Sequence, residues 1–456
     1  MTNTVLVTDP SISAILKDVG RLTHVSIGCV DWNGRLRTKQ LAVGQLEKAL
    51  CEGTAITSAI FATDTAEKPI ETGRFHDPAN GYPDAWLQLD SSSVRRDPLL
   101  DSAPGMVILG QLDGEFAQYC PRAILAREVG RLAALDLRAR CAFEVECHVL
   151  DESSATIAHK IPMDLTTRAE FTRMYSCVDQ ALADRLLNAI REATVGMGVT
   201  IGTLHTEIGG LLEAGLTPTL ALRSADDLTL YKYVVKTIAR QQQSFATFMA
   251  KLSDAHEAAG AHLNISLRSG ANGQPLFHCE GGTNPPVLRH FIGGLQRYVP
   301  ELFVLLAPYI NSYKRFGTAS FVPRTNSWGL DNKTAAYRVV TTNAELARIE
   351  VRVPGADVNP YLALAAIVAA GRQGVALALE PSAPARGNAW DNDAPRGAPL
   401  PPTLAAALEG WRNSAFARAT FGAEFVAEFA ASRHWQLTQF ARAVTDWEVR
   451  QFAEGV

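Results

Sequence analysis

The stretch Ala347-Arg348-Ile349-Glu350-Val351-Arg352-Val353-Pro354 runs on through Gly355-Ala356-Asp357-Val358-Asn359-Pro360-Tyr361-Leu362. Its first half alternates charged with aliphatic side chains, the period-two pattern of a strand, expected here over 347–353. Arg348, Glu350 and Arg352 then share one face, and Ile349, Val351 and Val353 the other. A plus–minus–plus row over about 13 Å suits an anion with a metal ion beside it. A solvated strand carrying a salt-bridge ladder has the same pattern, so the rest of the chain decides between them.

Working outward, carboxylates recur on neighbouring strands. Glu144 and Glu146 lie two apart in a strand expected over 142–149, so they share a face. Glu207 and Glu213 flank a Gly209-Gly210 turn between strands expected over 199–205 and 211–215, and His262 lies in one over 261–267. Taken singly, each of these is more often a solvated or structural residue. Five carboxylates and one imidazole on one sheet face would repel one another without cations. An oxygen-rich set with one imidazole suits magnesium or manganese. Arg315, Arg338, Arg348 and Arg352 add guanidinium groups, whose fork matches phosphate and carboxylate. Metals plus arginines are the equipment of phosphoryl transfer. No Walker glycine loop or kinase signature is present, so a nucleotide would be held another way.

The 456 residues allow two or three domains. A net charge of -4 offers no basic surface for nucleic acid or anionic membrane. Seven scattered cysteines without a CxxC pair argue for a reducing compartment and against a disulfide framework. With no signal peptide or bilayer-length apolar run visible, a cytoplasmic protein is expected. Residues 1–19 read as a lead-in, 20–115 as a first domain and 116–456 as a second. A hairpin is expected around Asp31-Trp32-Asn33-Gly34. Helices are expected over 121–135, most of 169–197, 225–249, 286–305 and 362–379, with a surface loop over 382–402 and two final helices.

Several strings in this order resemble the glutamine synthetase family over nearly the whole length. They are Asp31-Trp32-Asn33-Gly34-Arg35-Leu36-Arg37, Glu144-Val145-Glu146, His205-Thr206-Glu207 with Glu213, and Asn311-Ser312-Tyr313-Lys314-Arg315. Trp328, Asn332-Lys333-Thr334 with Arg338, and Arg348-Ile349-Glu350-Val351-Arg352 followed by Asn359-Pro360-Tyr361-Leu362 complete the match. The resemblance implies an α+β fold, with an N-terminal β-grasp domain and a C-terminal catalytic domain built on a curved antiparallel sheet. It implies a homo-oligomer, a dodecamer of two stacked hexameric rings. It also implies ATP and two or more Mg2+ or Mn2+ ions. Glu146, Glu207 and Glu213 would hold one ion, and Glu144, His262 and Glu350 another. Arg315, Arg352 and Glu146 would bind the acid substrate. Arg338, Lys333 and Glu207 would act at the transferred phosphoryl group. Arg348, Ser266 and Asn264 would sit by the nucleotide. Lys333 stands where the family usually has arginine, keeping the charge but losing the bidentate fork. Asn264 replaces a family histidine.

The departures fall on the amine side. Ammonia-using members carry a flap glutamate, and the matching position here is Phe321. The first-domain aspartate of their ammonium site has no match in Thr54-Ala55-Ile56-Thr57-Ser58-Ala59-Ile60-Phe61. Tyr175 lines the same pocket by position. An ammonium ion stripped of water needs such anions. The resemblance therefore implies a glutamate–amine ligase whose amine is larger than ammonia. It leans toward an aromatic or weakly basic amine, because an arylamine is already neutral at pH 7. The rivals are an ammonia-using glutamine synthetase and an idle structural relative. The family's Asn-Gly before the metal histidine is replaced in Glu257-Ala258-Ala259-Gly260-Ala261-His262, and the Gly209-Gly210 turn is one residue short, so a glutamate analogue stays open as the acid.

Overall fold

The structure is a computed structural model that describes residues 22–71, 73–76, 79, 81–100, 105–161, 164–278, 284–318, 321–390 and 397–455. The lead-in expected over 1–19 lies outside these residues. Two sheets organise the rest. The first contains β1 (His24–Val30), β2 (Leu36–Ala42), β3 (Thr54–Thr57), β4 (Asp84–Leu89), β5 (Arg95–Asp97) and β6 (Gly105–Leu112). Its order is β2-β1-β6-β4-β3, with β5 also on β6. The expected hairpin joins β1 to β2. Asp31 Oδ1 accepts the N–H groups of Asn33 and Arg35 at 2.9 and 3.0 Å, and Gly34 supplies a φ of 74°.

The second sheet contains β7 (Leu137–Leu150), β8 (Ile201–Thr206), β9 (Leu211–Leu216), β10 (Thr219–Leu220), β11 (Phe245–Thr247), β12 (Ala261–Ser269), β13 (Trp328–Leu330), β14 (Tyr337–Val340) and β15 (Arg348–Val351). Its order is β13-β14-β15-β12-β7-β9-β8, with β10 and β11 on β7. All its pairs are antiparallel except β13 with β14. Phe143, Val145, Cys147, Leu263, Ile265, Ile349 and Val351 point to one face and are buried. Helices Pro121–Ala133 and Ala221–Gln241 pack on that face, and Pro360–Ala376 packs on both helices. Helix Pro360–Ala376 is alanine-rich and buried along most of its length. Asn359 caps it by accepting the N–H groups of Tyr361 and Leu362.

The helix Ala423–Arg442 meets the β1–β2 hairpin. Trp32 packs on Phe61, Phe75, Phe425 and Phe429, with ring centroids 5.1–6.2 Å apart. Arg433 Nη2 donates to Asn33 Oδ1 at 2.8 Å, and Tyr309 Oη donates to the Asn33 carbonyl at 3.1 Å.

Four expectations change. The helix expected over 225–249 runs Ala221–Gln241. Gln243 turns with a φ of 57°, and Phe245–Thr247 pairs with β7 as β11. The 169–197 segment divides into a tight turn at Ala169–Phe171 and helices Cys177–Leu182 and Asp184–Gly196. Among the described residues the chain closes on four helices rather than two: Leu404–Asn413, Ala415–Phe421, Ala423–Arg442 and Asp446–Phe452. Ser414 and Gly422 (φ 95°) break them, each serving as the N-cap of the next. The strand expected over 347–353 is shorter, Arg348–Val351, because the chain leaves the ladder toward Pro354. No helix among the described residues is long and apolar enough to cross a membrane.

Candidate active site

Register brings the distant carboxylates together. Across β7 and β12, His262 stands opposite Glu144. Asn264 stands opposite Glu350 across β12 and β15, and Arg338 opposite Glu350 across β14 and β15. On the other flank, Glu146 faces Glu213 across β7 and β9, and His205 faces Glu213 across β8 and β9. One row of polar side chains thus crosses six strands of the sheet.

Two ligand-like clusters result. Glu144, His262 and Glu350 offer atoms within 4.8 Å of one another, and so do His205, Glu207 and Glu213. The first is the expected trio. In the second, His205 takes the corner expected for Glu146. The Glu146 carboxylate turns instead to the Gly260 N–H, which donates to Oε2 at 2.5 Å. Both clusters fit divalent cations by donor type and spacing. Burial and the surrounding carboxylates push Glu213 up to about 8, and burial pushes Glu146 up to about 7 against the pull of Arg315. Carboxylates that resist ionisation this strongly are what a bound cation would relieve. Burial and the nearby Arg352, Arg315, Lys333 and Arg338 hold His262 well below the usual imidazole range, which favours the neutral ring.

Glu350 is the hub of the arginine side. It is wholly buried, accepts Arg338 Nη1 at 2.8 Å, is bridged by Arg352 Nη1, and lies 3.4 Å from His262 Nδ1. Arg338 is also held by Asp331, through Nε at 2.8 Å. Arg348 Nε donates to Asn264 Oδ1 at 2.8 Å, and Asn264 Nδ2 donates to Glu144 Oε1 at 2.9 Å. Asn264 therefore links the expected nucleotide-side arginine to the Glu144–His262–Glu350 trio. Arg315 is buried and donates to the Val353 and Arg352 carbonyls, while its Nε has no protein partner.

Two cavities open on this array. One of about 700 Å³ is lined by Glu144, Tyr175, His205, Glu213, Asn264, Ser266 and Arg348, among others. Its size suits a nucleotide. The other, about 600 Å³, includes Asp331, Lys333, Arg338 and Arg386 in its lining. Tyr175, at a φ of 52°, packs its ring 4.4 Å from that of His205 and donates its N–H to the Thr206 carbonyl. Phe321 takes a φ of 60°, with its carbonyl 3.4 Å from Arg352 Nη2 and its ring largely exposed.

Glycines set the approach distances. Gly209 and Gly210 take left-handed φ values of 71° and 86°, and a Cβ at Gly209 would meet Glu257 Cγ at 2.7 Å. A Cβ at Gly260 would lie 2.9 Å from His262 Nε2, 3.0 Å from Arg315 Nη2 and 3.3 Å from Glu146 Oε2. Gly260→Ala is expected to lower kcat/KM on the order of 100-fold by displacing these groups, with a melting temperature close to wild type. Steady-state kinetics beside a thermal melt would check it. Activity within threefold of wild type would show that the space at Gly260 is not used.

Two members of the array were not singled out from sequence. His205 had a signal, since it lies two residues from Glu207 at the end of a strand. Asp331 had none, being an isolated acid in a turn.

A family model described as glutamine synthetase, catalytic domain, matches residues 118–452. The chain is 35% identical over 438 residues to a gamma-glutamylethanolamide synthetase of Streptomyces coelicolor, covering 95% of this chain and 93% of that protein. It is 30% identical over 437 residues to a glutamate–isopropylamine ligase of a Pseudomonas species, covering 94% and 95%. A solved structure of GmaS with ADP superposes with a TM-score of 0.83 at 22% identity, covering 97% and 99%. The chain belongs to the glutamine synthetase family.

Proposed function

We propose that this chain is an ATP-dependent ligase that joins the γ-carboxylate of glutamate to an organic amine. The observation that carries the reading is the convergence of Glu144, His262, Glu350, Glu207 and Glu213 with Arg338, Arg348 and Arg352, beside an acceptor side where Phe321 would stand in the flap position. Two relatives support it, one named for a γ-glutamylethanolamide product and one for joining glutamate to isopropylamine.

Glu144, His262 and Glu350 would hold one divalent ion, and His205, Glu207 and Glu213 another, with Glu146 alongside. Bound there, Mg2+ or Mn2+ would supply charge neutralisation for phosphate oxygens. Arg348, Asn264 and Ser266 line the larger cavity and would face ATP. Arg315 and Arg352 would bind the acid. Arg338 and Lys333 would stabilise charge on the phosphoryl group as it moves to the γ-carboxylate oxygen. The amine nitrogen would then attack the acyl carbon of γ-glutamyl phosphate. The C–N bond forms, the C–O bond to phosphate breaks, and the nitrogen loses a proton. Tyr175 and Phe321 would border the amine. An aromatic or weakly basic amine is the finer form of this reading, since no carboxylate is offered at Phe321 to receive that proton.

The same reading places a β-grasp unit over 20–115 and a catalytic unit over 116–456, assembled as stacked hexameric rings. With glutamate, ATP and Mg2+ or Mn2+, ADP release is expected to be faster with an organic monoamine than with ammonia. Ammonia as the best acceptor would overturn the reading. No release with any amine would point to the idle relative or to another acid.

A further inference from the structure

Phe321 has a partner that the reaction scheme above does not use. The ring of Trp390 lies 6.4 Å from that of Phe321 at 49°, an open tilted pair. The guanidinium of Arg324 sits 5.4 Å over the Trp390 ring. Among the described residues Arg324 is exposed and has no carboxylate partner. The three come from two segments, and both are pinned to the site. Ala389 donates its N–H to Thr334 Oγ1 at 2.8 Å, and Asn332 Nδ2 donates to the Gly387 carbonyl at 2.8 Å. Trp390 is thereby tied to the turn that carries Lys333. The Arg324 segment is zipped to the returning chain by Asn326 N–H to the Ala398 carbonyl at 2.9 Å and by a Thr325–Pro399 bridge. Phe321 itself is held at its carbonyl by Arg352.

We propose that Phe321, Trp390 and Arg324 form one wall of the acceptor site, that Trp390 and Arg324 are specificity-determining residues, and that the wall selects an apolar monoamine over a diamine. The inference rests on the amine-ligase reading above. Two aromatic rings give apolar surface to a hydrocarbon substituent. The Arg324 cation already occupies the electron-rich face of the indole, so a second ammonium carried by a diamine finds no cation–π site there. It meets a like charge instead, one that pairs with no carboxylate among the described residues. Selection thus comes from a repulsive element as well as an attractive one.

The test uses the full-length enzyme with ATP, glutamate and three acceptors: aniline, isopropylamine and 1,4-diaminobutane. Wild type is expected to favour isopropylamine or aniline over the diamine by about tenfold or more in kcat/KM. Arg324→Glu is expected to shift the ratio toward the diamine by about tenfold or more, mainly through the amine KM. Trp390→Ala is expected to raise KM for isopropylamine and aniline while moving the diamine little. Should Trp390→Ala fail to fold, the charge reversal at exposed Arg324 still reads the wall. A wild-type enzyme that prefers the diamine, or a ratio that Arg324→Glu leaves unchanged, overturns this inference alone. No activity with any organic amine, but activity with ammonia, overturns the ligase reading itself.

Discussion

Glu350→Ala is expected to remove measurable ADP release and to destabilise the protein. Glu350 is wholly buried and is the one carboxylate that both Arg338 and Arg352 contact. It is also one corner of the Glu144–His262–Glu350 trio. The alanine variant loses one corner of that trio and leaves guanidinium groups facing each other across a void. Removing one partner from a buried charged network costs about 3–5 kcal/mol. Loss of a group that aligns both the arginines and a cation is expected to lower the rate by 10³-fold or more. Glu350→Gln separates the two effects. It keeps the volume and an acceptor oxygen, so part of the stability should return while activity stays low. Denaturant melts and single-turnover assays on both variants would check this. An alanine variant within tenfold of wild-type rate would show that the hub is structural only.

The second large effect is on metal affinity and its pH dependence. Glu213 is raised to about 8 and Glu146 to about 7 from an ordinary value of 4.5. Groups raised on folding bind more protons in the folded than in the unfolded chain between those values. Their contribution is therefore present at low pH and is lost as pH climbs from about 4.5 through 8. Chelated protein should lose melting temperature over that window. A divalent ion displaces those protons, so its affinity should rise about tenfold per pH unit for each proton released, levelling off above pH 8. The gap in melting temperature between Mn2+-loaded and EDTA-treated protein should widen from pH 5.5 to 8.5. A gap that stays flat would show that these carboxylates do not face the bound ion.

Much of this site could be read from the chain because strand periodicity is strict. Residues two apart share a face, so Glu144 with Glu146, and Glu350 with Arg348 and Arg352, could be grouped before any pairing was known. Which strands lie side by side is not local information. The resemblance supplied it for His262 and Glu350, and the register places His262 opposite Glu144. What escaped were details set by long-range contacts. The turn of Glu146 toward Gly260 depends on the β7–β12 register and on a backbone N–H that has no sequence signature. No helix breaker precedes Phe245-Ala246-Thr247, so the sequence predicts helix to 249, and its strand state comes from pairing with β7. Asp331 reaches Arg338 from a turn, where no period applies.

The contact between Asn33 and Arg433 joins groups 400 residues apart. On a ribosome adding roughly 5–20 residues per second, the β1–β2 hairpin emerges about 20–80 s before the helix that covers it. For that interval the Trp32 ring lacks Phe425 and Phe429. The first sheet thus waits with an aromatic face uncovered, and chaperone capture and aggregation compete with its completion during synthesis.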